Sequence, residues 1–206
     1  MSMTTEPTNT MQVIACVLFF FFIFYFMQRK KYIIAVICAI AFANYVAMNL
    51  NVGVIADSSG NQQDYIPRYL DWSLTTPLLV LTLLLKCKVK DPSVYVLVLG
   101  MDVLMVYTGF LAATVTSNEK KRNVLFATSC FFYLVLFYLL FTRCYACHPG
   151  LFLFLFVAWL VYPVVWILHR VPASPSSAFL NNENYDSVIA AVDVFSKVGY
   201  GLLLPV

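Results

Sequence analysis

Five ionisable residues stand out because they fall within long apolar stretches of the sequence: Arg68, Asp71, Asp102, Asp193 and Lys197. An ionisable side chain at membrane depth is costly, and it indicates a functional site by default. Asp193 and Lys197 are four residues apart, so on a helix they lie on the same face, one turn from each other. A buried lysine can form a Schiff base with an aldehyde, and buried groups of both signs can line a pathway for protons or ions.

The spacing of Arg68, Asp71 and Thr75 places these three side chains together on one face of another helix. If that face meets the face of Asp193 and Lys197, two cations oppose two carboxylates and the buried charges compensate one another. The charge pattern leaves two interpretations open. One is a structural ion-pair network that joins two helices, and the other is a site on a proton or ion pathway.

The elements that carry these residues are long enough to cross a bilayer. The chain has 206 residues, of which 62% are hydrophobic and 11% charged, and its mean hydropathy is +0.82; soluble domains average about 25% charged residues. About 20 residues of helix span a hydrocarbon core of about 30 Å, and a lone segment in lipid must satisfy its own backbone as a helix. Seven apolar segments are predicted, at 11–28, 32–50, 66–85, 93–114, 123–142, 149–168 and 187–206.

We therefore expect an all-α, multi-pass integral membrane protein whose residues 1–206 form one seven-helix transmembrane domain. The leader Met1–Thr10 contains Glu6 and neither Lys nor Arg, so the first segment is interpreted as a retained helix rather than a signal peptide. The formal net charge of +3 needs no nucleic-acid partner, since basic residues at helix ends are expected to anchor at lipid headgroups.

The orientation follows from the basic residues outside the spans. Seven lie after the first, third and fifth segments, namely Arg29, Lys30, Lys31, Lys86, Lys88, Lys90 and Arg143. Four lie on the opposite side, namely Lys120, Lys121, Arg122 and Arg170. Because positive residues favour the inner side, the N-terminus is predicted outside and the C-terminus inside.

The loops carry two further patterns. The loop Asn51–Tyr65 contains DSSGN at 57–61, which is turn chemistry typical of a small hairpin. The inner loop contains CYACH at 144–148, which matches the attachment pattern of c-type haem or could offer zinc ligands. That loop is cramped and no haem-sized domain accompanies it, so we interpret Cys144 and Cys147 as ordinary thiols and predict no metal site.

Three longer stretches resemble microbial (type 1) rhodopsins of the bacteriorhodopsin kind, in the right order and at the right spacing. The stretches are RYLDWSLTTPLL at 68–79 for their third helix, WLVYPVVW at 159–166 for their sixth, and DVFSKVGYG at 193–201 for their seventh. Met101, Asp102, Met105, Thr108 and Gly109 resemble the fourth helix, and AFANY at 41–45 looks like the second. The chain is thus identified as a possible short, viral-type member of this family.

The resemblance implies that Lys197 holds all-trans retinal as a protonated Schiff base. Asp71 and Asp193 would be the counterions of that positive charge, and Arg68 would stabilise both carboxylates from the outer side. Thr75 would form a hydrogen bond with Asp71.

The resemblance also implies a binding site for the polyene. Aromatic side chains would form the walls around the polyene, and smaller side chains would lie next to the ring at the far end of retinal. A hydrogen bond between Thr76 and Asp102 would join the third and fourth helices. The wall residues are Trp72, Trp159, Tyr162 and Trp166; the ring-end residues are Met105, Gly109 and Ser129; Tyr45 is also assigned to the cofactor site.

An outward, light-driven proton pump is the first function implied, so a transport protein rather than an enzyme is expected. Asp71 would accept the proton of the Schiff base. Family pumps often place a proton-donor carboxylate three turns after this counterion, and here that position is Thr82, which predicts a slow photocycle. Glu183 and Asp186 could form a proton-release group, although solvated loop carboxylates are the commoner explanation.

A light-gated cation channel and a sensory photoreceptor are the alternatives. Channel members often line the second helix with glutamates, whereas this one carries Asn44 and Asn49, with Asn51 after it. These amides could line a polar path or simply form interhelical hydrogen bonds. A sensor would need a separate membrane partner. The expected partners are the lipid bilayer, protons or monovalent cations, and further copies of the chain in a trimer or pentamer.

Overall fold

Seven long helices make up most of the described part of the protein. The computed structural model describes residues 9–56, 63–115, 118–170 and 179–205. The helices are α1 (Thr10–Gln28), α2 (Tyr32–Asn49), α3 (Ile66–Lys86), α4 (Pro92–Thr114), α5 (Glu119–Cys144), α6 (Pro149–Arg170) and α7 (Asn182–Val194). The last of these continues through a π-helical segment, Phe195–Gly199, into a final turn, α8 (Tyr200–Leu203). The seven predicted spans are confirmed.

The outside of the bundle is apolar. Five helices, α1, α2, α4, α5 and α6, are long and apolar enough to cross a membrane by length and composition. The ion cluster predicted from the sequence lies on the other two, α3 and α7. Large apolar side chains such as Phe21 (61% exposed) and Leu134 (62% exposed) project outward, which suits a lipid surface and would be costly in water. The protein is an integral, multi-pass membrane protein.

The helices close into a bundle around α3 and α7. Consecutive helices α1 to α5 pack side by side, and α7 packs against both α1 and α6. The π-helical segment, which contains Lys197, contacts α2 and α6. Turns of π-helix are rare in proteins, and those that occur are often at functional sites. The irregular turn around Lys197 therefore indicates a functional site.

A two-stranded antiparallel hairpin precedes α3. Strand β1 (Val54–Ala56) pairs with β2 (Gln63–Tyr65), with Ile55 opposite Asp64. The predicted hairpin is confirmed in its strands, while its turn at 57–61 lies outside the described residues, as do residues 171–178. Since β2 runs directly into α3, the hairpin brings Asp64 to the N-terminal end of that helix.

Candidate functional site

The centre of the site is an ion cluster between α3 and α7. Lys197 Nζ donates to Asp71 Oδ2 at 2.6 Å and to Asp193 Oδ1 at 2.9 Å. The three residues are at most 1% exposed. The face of α3 that carries Asp71 therefore meets the face of α7 that carries Lys197, as the spacing predicted. One cation shared by two buried carboxylates leaves the cluster with one excess negative charge if all three groups are ionised.

The two carboxylates differ in their hydrogen bonds. Asp193 accepts from Tyr162 Oη at 2.7 Å and Trp72 Nε1 at 3.0 Å on one oxygen, and from Tyr45 Oη at 2.7 Å on the other. Oδ1 of Asp71 is buried and has no hydrogen-bond partner among the described residues. The Thr75 hydroxyl donates to the main-chain carbonyl of Asp71 at 2.8 Å. The predicted contact between these residues is therefore made with the backbone and leaves one carboxylate oxygen unpaired.

A cavity extends from Lys197 across the bundle. It holds about 850 Å³ of empty space when its opening to the surroundings is included. Nine of the residues predicted to bind the cofactor line it: Lys197, Trp72, Thr76, Met105, Gly109, Ser129, Trp159, Tyr162 and Trp166. Sequence reasoning did not assign the other lining residues to the binding site: Tyr69, Leu79, Val106, Phe126, Cys130, Tyr133, Pro163, Tyr185 and Ser196.

The walls of the cavity are aromatic and close-fitting. Trp72 and Tyr162 meet edge to face with ring centroids 4.9 Å apart, and Phe126 stacks on Trp166 at 4.1 Å with an angle of 6° between the rings. A Cβ on Gly109 would approach the Ser129 hydroxyl to 3.3 Å, so the glycine keeps this wall thin. An apolar slot that starts at a buried amine can hold a flat, apolar molecule joined to that amine.

Comparison with protein families matches residues 3–205 to the bacteriorhodopsin-like protein family. The chain belongs to this family. The match covers all seven helices, and members of the family bind retinal. The cavity of this rhodopsin fits that group, because Lys197 Nζ lies in its lining and aromatic rings form its walls.

Individual relatives agree. The chain is 35% identical over 188 residues to Bacteriorhodopsin-I of Haloarcula marismortui, covering 82% of this chain and 72% of the relative. Its fold matches the crystal structure of the light-driven proton pump rhodopsin of Coccomyxa subellipsoidea with a TM-score of 0.84 and 26% identity, over 97% of this chain and 96% of the other. The bromide-bound halorhodopsin of Halobacterium salinarum also matches, with a TM-score of 0.83 and 24% identity over 96% and 91% of the two chains. The fold alone therefore does not identify the transported ion.

The direct ion pairs of Arg68 are with Asp64 and Asp186 rather than with the central carboxylates of this rhodopsin, so its predicted stabilisation of Asp71 and Asp193 stays a prediction. Its Nη1 lies 2.7 Å from Asp64 Oδ1 and its Nη2 lies 2.6 Å from Asp186 Oδ1. All three side chains are buried. The guanidinium is paired at the end of the site next to the hairpin because β2 and α7 each supply a carboxylate there.

The sequence did not predict this second ion cluster, which contains Asp64, Arg68, Asp186 and Arg170. The Tyr69 hydroxyl donates to Asp64 Oδ2 at 2.8 Å, and Arg170 Nη2 lies 3.5 Å from the same oxygen. Asp64 had been assigned to a loop and Arg170 to the outer surface, yet they are 0% and 2% exposed. No local pattern marked it, because Asp64 lies on β2 and only Arg68 lies on α3.

The predicted pair of Glu183 and Asp186 is not formed. Glu183 is exposed, and its main-chain carbonyl accepts from Asn9 Nδ2 at 2.9 Å. Asp186 is buried against Arg68. The two carboxyl groups thus lie in different surroundings, since three positions along a helix separate a solvent-facing residue from one that faces the bundle.

Thr76 and Asp102 lie close enough to interact, and the predicted hydrogen bond that links α3 to α4 stays a prediction. The Thr76 hydroxyl donates to the Trp72 carbonyl at 2.8 Å, one turn back on its own helix. Both carboxyl oxygens of Asp102, which is 0% exposed, lack a hydrogen-bond partner among the described residues. A threonine hydroxyl has a single proton, and the helix carbonyl takes it. Asp102 also lies outside the lining of the cavity, as does Tyr45, which reaches the site through Asp193.

The half of the bundle at the C-terminal end of α3 contains a second buried polar pair. Thr82 is 4% exposed, and its hydroxyl donates to the Leu79 carbonyl at 2.6 Å. Its oxygen lies 3.0 Å from the hydroxyl of Tyr200, a residue that the sequence did not single out. The side-chain amides of Asn44 and Asn49 donate at 2.9 Å to the main-chain carbonyls four residues earlier. These hydrogen bonds lie within α2.

Proposed function

We propose that this rhodopsin is a light-driven outward proton pump with all-trans retinal bound to Lys197 as a protonated Schiff base. The observation that carries the proposal is the position of Lys197 Nζ, which lines the aromatic cavity and also contacts Asp71 at 2.6 Å. A proton held at that nitrogen has an acceptor within hydrogen-bond distance. The likeness to a light-driven proton pump supports the same assignment.

Bound retinal supplies the visible absorption and the light-driven change of shape that starts each cycle. Asp193 and Asp71 then have different roles. Asp193 receives hydrogen bonds from four donors, and charge-assisted bonds of this kind favour the ionised form. Asp71 receives one and keeps a free oxygen, so it accepts the proton from Lys197 Nζ.

The direction of transport follows from the placement of these groups. With the N-terminus outside, Asp71 lies towards the outer side, and beyond it lies the cluster of Asp64, Arg68, Asp186 and Arg170. That cluster balances two guanidinium groups with two carboxylates. A proton that leaves Asp71 therefore passes next to a neutral, buried group of charges before it reaches the outer surface.

The return of a proton from the inner side sets the pace. Thr82, on the inner half of α3, cannot donate a proton as readily as a carboxylic acid at neutral pH. Its surroundings are a main-chain carbonyl and the Tyr200 hydroxyl. We therefore propose that reprotonation of Lys197 Nζ is the slow step of the cycle.

Photocurrent under voltage clamp tests the pump assignment. We expect current of one sign across a wide range of voltage, and none from Lys197→Ala, which removes the attachment point. A current that reverses where the ion gradients dictate would replace the pump by a cation channel. Absence of current from a protein that still absorbs visible light would favour a sensory photoreceptor.

A further inference from the structure

The Thr82–Tyr200 pair lies on the inner side of the central site and has no part in binding the cavity's occupant. Tyr200 is 0% exposed and its hydroxyl lies 3.0 Å from Thr82 Oγ1. Neither residue lines the cavity. A buried phenol whose hydroxyl is turned to another hydroxyl, rather than to a carbonyl or to lipid, is a group that can both give and accept a proton.

We propose that the Tyr200 hydroxyl, paired with Thr82, is the relay through which a proton from the inner side reaches Lys197 Nζ. The inference deepens the proposed pump and rests on it for the direction of transfer. It makes Tyr200 a residue of the transport path rather than of the packing alone.

The lengths of the two helices support this route. Thr82 is eleven residues beyond Asp71, which corresponds to about 16 Å along α3 at about 1.5 Å per residue. Tyr200 follows Lys197 by three residues, and its hydroxyl lies beside Thr82. The pair therefore lies about three helical turns along α3 from Asp71.

Beyond this pair the chain becomes progressively more exposed. Cys87 and Cys144 lie close enough to Tyr200 to interact electrostatically with its hydroxyl. Cys144 is buried, Cys87 is half-buried and Cys147 is exposed. The thiols at and just after the C-terminal ends of α3 and α5 thus range from buried to exposed.

The transfer balances without any redox step. A hydronium ion of the inner solution gives a proton to the Tyr200 oxygen and becomes water, while the phenol's own proton moves on along water molecules beside Thr82 to Lys197 Nζ. The phenol is neutral before and after. One proton leaves the inner solution and one arrives at the amine.

Two variants test the relay in the full-length, retinal-loaded protein. Tyr200→Phe keeps the ring and removes only the hydroxyl, and Thr82→Val keeps the shape and removes its partner. General acid–base groups contribute about 10²–10⁴-fold to rate, so we expect flash spectroscopy to show reprotonation of Lys197 Nζ at least about tenfold slower in each variant. Because both act on one path, the double variant is expected to be no slower than the slower single variant.

A matched control separates the lost hydroxyl from general damage. Tyr95 is also at the inner end and donates to a main-chain carbonyl at 2.9 Å, so Tyr95→Phe is expected to leave the rate unchanged. Azide, a small weak acid that carries protons without a relay, is expected to restore the rate of Tyr200→Phe. The infrared light-minus-dark spectrum of the unmodified protein is expected to contain a phenol band that disappears in Tyr200→Phe.

The outcomes distinguish the relay from the pump assignment. Unchanged reprotonation in Tyr200→Phe, or slowing that azide does not restore, overturns the relay while one-signed photocurrent still supports the pump. Slow, azide-sensitive reprotonation in a protein that gives no one-signed current keeps the relay and removes the pump.

Discussion

Asp71 and Asp193 flank the same nitrogen of Lys197, at 2.6 and 2.9 Å, but only Asp193 has both oxygens occupied by hydrogen-bond donors. Two carboxylates of the same residue type therefore have different surroundings. In the proposed pump, Asp193 keeps its charge and Asp71 accepts the proton. This asymmetry depends on residues of α2, α3 and α6, since Tyr45, Trp72 and Tyr162 supply the donors.

Replacement of Lys197 by Ala is expected to abolish the visible absorption band after retinal is added, because the amine that binds the aldehyde is gone. Lys86→Ala, which removes a lysine at the end of α3, serves as the control and is expected to keep the band. A band retained in purified, folded Lys197→Ala protein would contradict the attachment site.

Asp71→Asn and Asp193→Asn are expected to differ. Asp71→Asn should shift absorption to the red and stop proton transfer, because a counterion and the acceptor are lost together. Asp193→Asn should in addition lower the thermal stability, since hydrogen bonds to a charged group contribute about 1.5–3 kcal/mol each and three neutral donors on neighbouring helices converge there. Absorption spectra and melting curves of the two variants, compared side by side, check this order; equal stability would argue against it.

Asp64→Asn is expected to destabilise the protein strongly. Breaking a buried ion pair by removing one partner costs about 3–5 kcal/mol, and Asp64 faces Arg68, Arg170 and the Tyr69 hydroxyl. Glu183→Gln, at an exposed site on α7, should leave both the melting temperature and the timing of proton release unchanged. Proton release can be followed with a pH-indicator dye. A change in its timing in Glu183→Gln would contradict this prediction and would support Glu183 as part of a proton-release group.

Two glycines provide a matched test of packing. A Cβ on Gly201 would lie 2.5 Å from Ile34 Cγ2 and 2.6 Å from a ring carbon of Phe26, whereas one on Gly100 would meet nothing within 4 Å. Overpacking typically costs about 1–3 kcal/mol, and Gly→Ala in an open helical position gains about 1 kcal/mol. Thermal unfolding is therefore expected to shift down for Gly201→Ala and slightly up for Gly100→Ala; a Gly201→Ala protein as stable as the parent would contradict the close contact of α8 with α1 and α2.

The sequence predicted the central site well because its residues repeat at helical spacing. Asp71 and Lys197 lie on faces that periodicity alone can define, and seven apolar spans leave few ways to bring those faces together. The spans themselves agree with the helices to within a few residues at most ends; α5 and α7 begin four and five residues earlier than predicted, with polar first turns that hydropathy does not mark.

The sequence predicted less well the contacts between elements whose relative position it does not encode locally. The ion pair of Arg68 with Asp64 was not predicted, because Asp64 lies on a strand that precedes the helix, outside any apolar pattern. Thr76 was assigned to Asp102, and its hydroxyl donates to a carbonyl of its own helix at 2.8 Å. Tyr200 carried no signal at all, since an aromatic residue near a helix end is usually placed in the core or the lipid interface.

The wide turn at Phe195–Gly199 determines which way the last residues of the chain point. An α-helix advances about 100° per residue, so the one additional residue that a π turn accommodates rotates everything after it by about that angle. Tyr200 is directed to Thr82, and Gly201 to Ile34, from beyond this turn. Shortening the segment by a single residue would rotate Tyr200 and Gly201 away from their neighbours. The direction in which the last helical turn faces is therefore determined by the π-helical segment that contains Lys197.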